Sequence, residues 1–456
     1  MDFKGEAFDG VEGQSPSPYL PPRVPARWID RRPRPRGACP GTRPVIAVLR
    51  AEQGAGAMTY RILALDGGGS WAVLQVMALA AIHGDTATGH EVLRHFDLVA
   101  ANSGGSITLG GLIENRTLAD LRDNFFRNET ERRRVFVEKG GLAALMQNLV
   151  HVGPKYSAPD KLTGLKTLLK ASGGTQITQL RHTLGEWLPD LVICTFDYDR
   201  LRGILFRSNR ASRAASFTPE IDPTLAEAIH ASTNAPVNYF DRPADLPEHA
   251  PTRQFWDGGV AGYNNPVLLA VMEALANGHA AGEIRALSLG TGTTFLPFDP
   301  GGTLGPLGQP RRGQPRGNGL DDLLSDVQTL ATAIVDDPPD IASYLAHIAL
   351  GGAMPRDQTF IPVSGPVVRL NPMIQPVRGA GGAWVAPPGV SDFAKLAALD
   401  MDAVAQADVN RIVEFGTAWL ANHVTNQAIR CNRTTLECEI GQPTFDRALA
   451  VWNSFG

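Results

Sequence analysis

The feature that most restricts the fold is an apolar strand that runs straight into three glycines. TYRILALDGGG (59–69) ends on Asp66-Gly67-Gly68-Gly69, and WAVLQVMALAAIHG (71–84) continues as a buried helix stopped by Gly84. FDLVAANS (96–103) repeats the strand, and a helix of small residues follows it. Strand, tight turn and helix, twice in succession, is the signature of parallel strands joined by helical crossovers. Further strands are predicted at LVICTFDYD (191–199), GILFRS (203–208) and IRALSLGTG (284–292). Helices are predicted at LAEAIHAST (225–233) and NPVLLAVMEALANG (265–278). The expected fold class is α/β with a mostly parallel central sheet.

Outside that region the pattern changes. Residues 1–57 are rich in Pro, Arg and Gly and have no amphipathic period. They predict a disordered or polyproline-like extension, because proline fixes φ and removes a donor. The folded core is expected over 58–298, and a Gly/Pro-rich loop over 299–319. The remaining 320–456 reads as a mainly helical part packed on the core. Its predicted helices are LDDLLSDVQTLATAIV (320–335), DIASYLAHIAL (340–350) and one or two amphipathic segments in 391–424. A strand-like PVVRLNP (366–372) and a second Gly/Pro loop (376–389) interrupt them.

A chain with 43% hydrophobic and 19% charged residues can build a globular core. Its net charge of -4 lacks the basic excess of a nucleic-acid binder, so no nucleic acid is expected as a partner. Cys39, Cys194, Cys431 and Cys438 are too scattered for a disulfide framework, and no CxxC pair points to a metal. Cys194, inside LVICTF, reads as a small core residue. No run of 18 apolar residues predicts a membrane-spanning helix, and MDFKGEAFDG is not a secretory leader, so a cytoplasmic location is expected.

Three stretches carry chemistry. Ala101-Asn102-Ser103-Gly104-Gly105 places a hydroxyl where a strand turns into a helix. A sharp turn there exposes the oxygen, and small flanking residues make the turn feasible. The same position also suits a plain N-cap. Asp66-Gly67-Gly68-Gly69 offers backbone N–H groups unshielded by side chains, as an anion-binding nest or as a simple tight turn. Trp256-Asp257-Gly258-Gly259 sets a carboxylate at a strand end, which suits a base or again a turn.

Taken together, in this order, the three stretches resemble the patatin-like phospholipases, a family of serine lipid acyl hydrolases. DGGGSWA resembles the family's D-G-G-G-x-R-G, ANSGG its G-x-S-x-G, and WDGG its D-G-G/A. PKYSAPDKLTGLKTLL (154–169), CTFDYDRLRGILFRS (194–208), EAIHASTNAPVNYF (227–240) and LSLGTG (287–292) also resemble family segments. The likeness runs from about residue 60 to about 294, with weaker traces to about 424. It implies a three-layer α/β/α fold. It implies Ser103 as nucleophile and Asp257 as its sole partner, a dyad that forms an acyl-enzyme without histidine, metal or cofactor. Gly67, Gly68 and Gly69 would supply the oxyanion hole, and Asp66, Gly105, Gly258 and Gly259 would shape the turns. The implied substrate is an acyl lipid, first of all a phospholipid, met transiently at a membrane or micelle. The Arg-rich extension and the loop with Arg311, Arg312 and Arg316 are the candidate lipid contacts.

Three departures stand out: Trp71 and Ala72 replace the motif's arginine and last glycine, and Ala101 replaces the first glycine of the serine turn. Tryptophan cannot act as a fork of charged donors, so Trp71 either packs in the core or lines an acyl pocket. Other readings stay open. A Ser-Asp-His triad would take its histidine from His279, His347 or His423, because His230 precedes Asp257. A non-catalytic lipid-binding relative would keep the fold without the reaction. An actin-like nucleotide site could use LDGGGS and LGTGTT for phosphates, but would continue into a hairpin rather than the helical AVLQVMALAAI.

Overall fold

The computed structural model describes residues 59–138, 155–214, 221–236, 239–247, 249, 253–294, 339–354, 364–427, 429–431 and 438–456. The expected extension (1–57), the loop at 299–319 and the helix at 320–335 lie outside the described residues.

The first strand, β1 (Tyr60–Leu65), leads through the glycine turn into α1 (Val73–His83). Then come β2 (Leu98–Ala101), α2 (Gly104–Ile113) and α3 (Ala158–Leu168). A hairpin follows, β3 (Asp190–Asp197) and β4 (Arg202–Arg207), and then α4 (Leu225–Ser232). The chain continues through β5 (Ala244–Asp245), β6 (Gln254–Asp257), α5 (Val267–Ala276), β7 (Ile284–Leu289) and β8 (Thr293–Thr294). The C-terminal part supplies α6 (Pro339–Ala349), β9 (Val367–Leu370), α7 (Phe393–Ala398), α8 (Gln406–Leu420) and α9 (Phe445–Asn453).

The main sheet has the order β5-β6-β3-β2-β1-β7-β9, with β4 also paired to β3. Contacts of β1 with β2 and β7, of β2 with β3 and of β7 with β9 are parallel. Antiparallel pairing is confined to the margin formed by β3, β4, β5 and β6. Alternation along each strand builds the two cores. Leu63, Leu65, Val99, Ala101, Leu287 and Leu289 enter the larger cluster with α1, α2, α4 and α8. Ile62, Ala64, Leu98, Ala100 and Ala286 enter the other cluster with α5 and α6. The sheet is thus the middle layer of three, as expected.

The strand predicted at 366–372 is β9, which extends the main sheet beside β7, so the C-terminal part is more than a helical cover. The Gly/Pro loop at 376–389 contains a short hairpin, Val377–Arg378 with Trp384–Val385. The segment 391–424 holds two helices, α7 and α8. Cys194 is fully buried on β3. Among the described residues, no helix is long and apolar enough to cross a membrane.

Candidate active site

Strand pairing brings two chain ends face to face. β2 pairs with β3 over Asp190–Ile193, whereas β4 pairs with Val192–Asp197. A strand has two edges, so β2 and β4 lie on opposite ones. β6 pairs with Thr195–Asp197, where β4 already holds the far edge, so β6 shares the edge of β2. β2 runs up to Ala101, opposite Ile193, and β6 runs the other way to Asp257, opposite Thr195. The serine turn and the carboxylate meet where these two strands abut.

At the end of β2 the chain reverses sharply. Ser103 has φ 46° and ψ −121°, and α2 begins at the next residue. A side chain at positive φ costs about 1–3 kcal/mol, and the surroundings hold it there. The Ser103 amide donates to Ser232 Oγ at 2.9 Å, and Ser232 Oγ lies 2.9 Å from Ser106 Oγ. The Ser103 hydroxyl makes no capping bond to α2, so the N-cap reading does not describe it. Gly105 allows the close approach behind the turn, since a Cβ there would sit 2.3 Å from the Leu65 carbonyl oxygen.

Asp257 is 1% exposed. Its Oδ1 accepts from the Gly259 amide at 2.8 Å and from Asn102 Nδ2 at 3.1 Å. Burial raises its proton affinity above that of an ordinary carboxylate, and the Ser103 hydroxyl, the Gly259 amide, Asn102 and the Lys161 charge pull it back. Among the described residues Oδ2 accepts no hydrogen bond. The Ser103 hydroxyl nonetheless favours the ionised form of the carboxylate.

The glycine turn packs against Ser103. A Cβ on Gly67 would fall 3.0 Å from Ser103 Cβ, and one on Gly104 would fall 2.8 Å from the Gly69 nitrogen. The three amides are not equivalent. Gly67 N–H donates to the Asn264 carbonyl at 2.9 Å, so it is already spent. Among the described residues, the Gly68 and Gly69 amides donate to no protein acceptor. The expectation of three donors narrows to two. Gly258 packs tightly beside them, where a Cβ would meet Asn102 Oδ1 at 2.4 Å.

Asp66 faces away from this reaction space. Its Oδ2 accepts from Arg369 Nη2 at 2.6 Å, and Arg369 Nη1 donates to Ser288 Oγ at 2.8 Å. Both ends of the ion pair are buried. The backbone carbonyl of Asp66 accepts from the buried Gln75 Nε2 at 2.8 Å. Arg369→Met breaks a buried pair and is expected to cost about 3–5 kcal/mol, read as a lowered denaturation midpoint with unchanged m-value.

A pocket of about 330 Å3 empty volume opens on Ser103 and Gly69. Ile107, Val135, Phe136, Tyr239 and Phe240 make its wall apolar, and Met401 closes it from the C-terminal part. The Met401 carbonyl accepts from the Ser70 amide at 3.0 Å. Flanking it, Asp400 accepts from Tyr239 Oη at 2.7 Å, and Asp402 accepts from Tyr156 Oη at 2.8 Å and Lys155 Nζ at 2.9 Å.

Trp71 does not line this pocket. It is 5% exposed, packs edge-on against Phe415 and donates from Nε1 to the Asp400 carbonyl at 3.1 Å. Restoring the motif's arginine by Trp71→Arg would bury a guanidinium among these groups. The expected result is a loss of about 3 kcal/mol or more, read as a lowered melting temperature rather than a gain in headgroup preference.

Among the described residues no histidine lines the pocket either. His279 stacks on Tyr60 with ring centroids 3.8 Å apart, His347 bonds the Ala353 carbonyl at 2.9 Å, and His423 is exposed. His230 is buried in α4 and disfavours its charged form, first through burial and then through Lys161. Among the described residues no group of three metal-ligating side chains occurs.

Sequence reasoning missed four contributors. Asn102 could have been found, since it precedes Ser103 and its amide both donates to a carboxylate and fits a tight turn. Ser232 and Asn264 sit in short polar stretches without a local signal, and Arg369 reaches Asp66 from 303 positions away.

Residues 63–271 match the family described as patatin-like phospholipase. A "cGAMP-activated phospholipase" of Pseudomonas aeruginosa is 29% identical over 242 residues, which are 52% of this chain and 64% of that protein. The chain thus spans less than two thirds of that relative. Among solved structures, VipD from Legionella pneumophila aligns with TM-score 0.33 and 10% identity over 79% of this chain and 67% of its own. Human GIVD cytosolic phospholipase A2 aligns with TM-score 0.21 and 15% identity over 33% and 22%.

Proposed function

The chain carries a patatin-like phospholipase domain over residues 63–271, and from that premise we propose that it is a lipid acyl hydrolase working through a Ser103–Asp257 dyad. The observation that carries this reading is the abutment of β2 and β6 along one edge of β3, which faces the serine hydroxyl with a buried carboxylate of raised proton affinity. Asp257 takes the hydroxyl proton as Ser103 Oγ attacks the ester carbonyl. The tetrahedral oxyanion receives the free amides of Gly68 and Gly69. The leaving alcohol takes the proton from Asp257, which leaves an ester on Ser103. Asp257 then takes a proton from water as the water attacks that ester, and returns it to Ser103 as the fatty acid departs.

A carboxylate is a weak base in water, and burial strengthens it. Gly67 then has a structural part, anchoring the turn on Asn264. The apolar wall of Ile107, Phe136 and Phe240 suits an acyl chain. Phospholipid is the proposed substrate class, supported by the family and by the name of the Pseudomonas relative. The lipid surface is met transiently; the contacts expected at the extension and at Arg311, Arg312 and Arg316 fall outside the described residues.

The test is hydrolysis of a short-chain p-nitrophenyl ester and of a fluorogenic phospholipid, with chelator present, by wild type and Ser103→Ala. Ser103-dependent turnover in chelator supports the reading; turnover that persists in Ser103→Ala refutes it. Substituting His279, His347 or His423 singly is expected to leave turnover close to wild type, and a collapse in one of them would restore the triad.

A further inference from the structure

A second charged group lies behind the pocket wall. Lys161, on α3, is completely buried. Its Nζ lies 3.0 Å from the His230 carbonyl, 3.2 Å from Thr233 Oγ1 and 2.8 Å from Asn234 Oδ1. It also stands over the face of Phe240, 4.0 Å from the ring centroid. Among the described residues no carboxylate bonds it.

The protonation state follows from donor counting. The His230 carbonyl and Asn234 Oδ1 can only accept. Thr233 Oγ1 gives its own proton to the Ile229 carbonyl at 2.8 Å, so it also accepts from Lys161. Three acceptors face one nitrogen, and only an ammonium has three protons to give. The aromatic face favours the same form. Burial works against it and pushes the lysine well below its ordinary value, while the negative charge of Asp257 works for it.

The acceptors also lead to the carboxylate. Asn234 binds Lys161 through its side chain, and its backbone carbonyl accepts from the Asp257 amide at 3.0 Å. Its Nδ2 donates to the Arg242 carbonyl at 2.8 Å, which locks the amide orientation. Thr233 and Phe240 are themselves pocket wall.

We infer that Lys161 is a positioning residue of the dyad: fastened to the end of α4 and to Asn234, its ammonium supplies the buried positive charge against which Asp257 stays ionised. The inference rests on the dyad reading above. Other titratable groups nearby do not replace it. Cys194 faces Asp257 from β3, and burial and the Asp257 charge hold its thiol protonated and neutral. His230 is held neutral on α4. Ser103 and Asn102 approach from the β2 side without a charge, and Lys166, further along α3, acts on His230.

The test is the pH dependence of kcat/KM for wild type, Lys161→Met, Lys161→Gln and Lys161→Arg, with melting temperatures alongside. Without the positive charge Asp257 holds its proton more tightly. The acid limb is therefore expected to move up by about one pH unit in the Met and Gln variants, a roughly tenfold loss at the foot of that limb. KM is expected to stay constant, and Lys161→Arg to keep the wild-type limb. A lower rate at every pH with an unmoved limb would reduce Lys161 to a structural brace and overturn the inference. Should the variants fail to fold, the charge of Lys161 in the wild-type protein at neutral pH, read from its 13Cε shift, decides: an ammonium supports the inference and a neutral amine overturns it. Ser103→Ala in the same series separates the two levels. If it keeps turnover, the dyad reading fails. If it loses turnover while the Lys161 variants keep the wild-type limb, only the role of Lys161 fails.

Discussion

Ser103→Ala is expected to remove ester hydrolysis by about 10^4-fold or more while leaving the fold intact. The hydroxyl caps no helix, and the turn is held by the Ser103 amide on Ser232 rather than by the side chain. Alanine keeps the Cβ that the positive-φ turn already tolerates. The change in stability should thus stay within about 0.5 kcal/mol. Hydrolysis assays paired with thermal melts check both halves. A large fall in melting temperature would mean that the serine is there for the fold.

Asp257→Asn is expected to lower turnover by about 10^4-fold and to leave the melting temperature equal to or above that of wild type. Asparagine keeps an oxygen for the Gly259 and Asn102 donors but cannot accept the serine proton. The stability half follows from linkage. The folded carboxyl has a raised proton affinity, even with the help of Lys161. The folded state therefore binds the proton more tightly than the unfolded chain. Stability from this group is present below the unfolded value of an aspartate and is lost as pH rises through the raised folded value. At neutral pH the ionised carboxylate is a cost that asparagine removes. Activity has the opposite sign, because the base must be ionised: it falls as pH drops through the same raised value, so the acid limb lies above that of an ordinary aspartate. A variant that is at least as stable as wild type and nearly inactive would show a site that trades stability for chemistry.

The sequence made the frame of this site legible and left its supports hidden. DGGG, ANSGG and WDGG each mark a place where backbone must approach backbone, and glycine is the residue that permits it. Periodicity of two and of 3.6 then marks the strands and helices that carry them. What brings Asp257 to Ser103 is β6 taking over the edge of β3 where β2 stops, a pairing register that no local pattern encodes. The number of free amides in the glycine turn was beyond reach for the same reason, since Gly67 is spent on Asn264, far along the chain. Arg369 and Met401 come from beyond the matched residues 63–271, yet one pairs with Asp66 and the other closes the pocket. Nothing local marks Lys161, inside PKYSAPDKLTGLKTLL, as different from other lysines. Only tertiary packing shows that three acceptors surround it.

The central claim is that Ser103 is acylated with the help of Asp257, and covalent trapping tests it most directly. The full chain is incubated with a fluorophosphonate, digested and mapped by mass spectrometry, for wild type, Ser103→Ala and Asp257→Asn. The expected result is an adduct on Ser103 in wild type, none at any serine in Ser103→Ala, and strongly slowed labelling in Asp257→Asn. A folded wild-type protein that hydrolyses esters while Ser103 stays unmodified, or labels as fast without the Asp257 carboxylate, would contradict it.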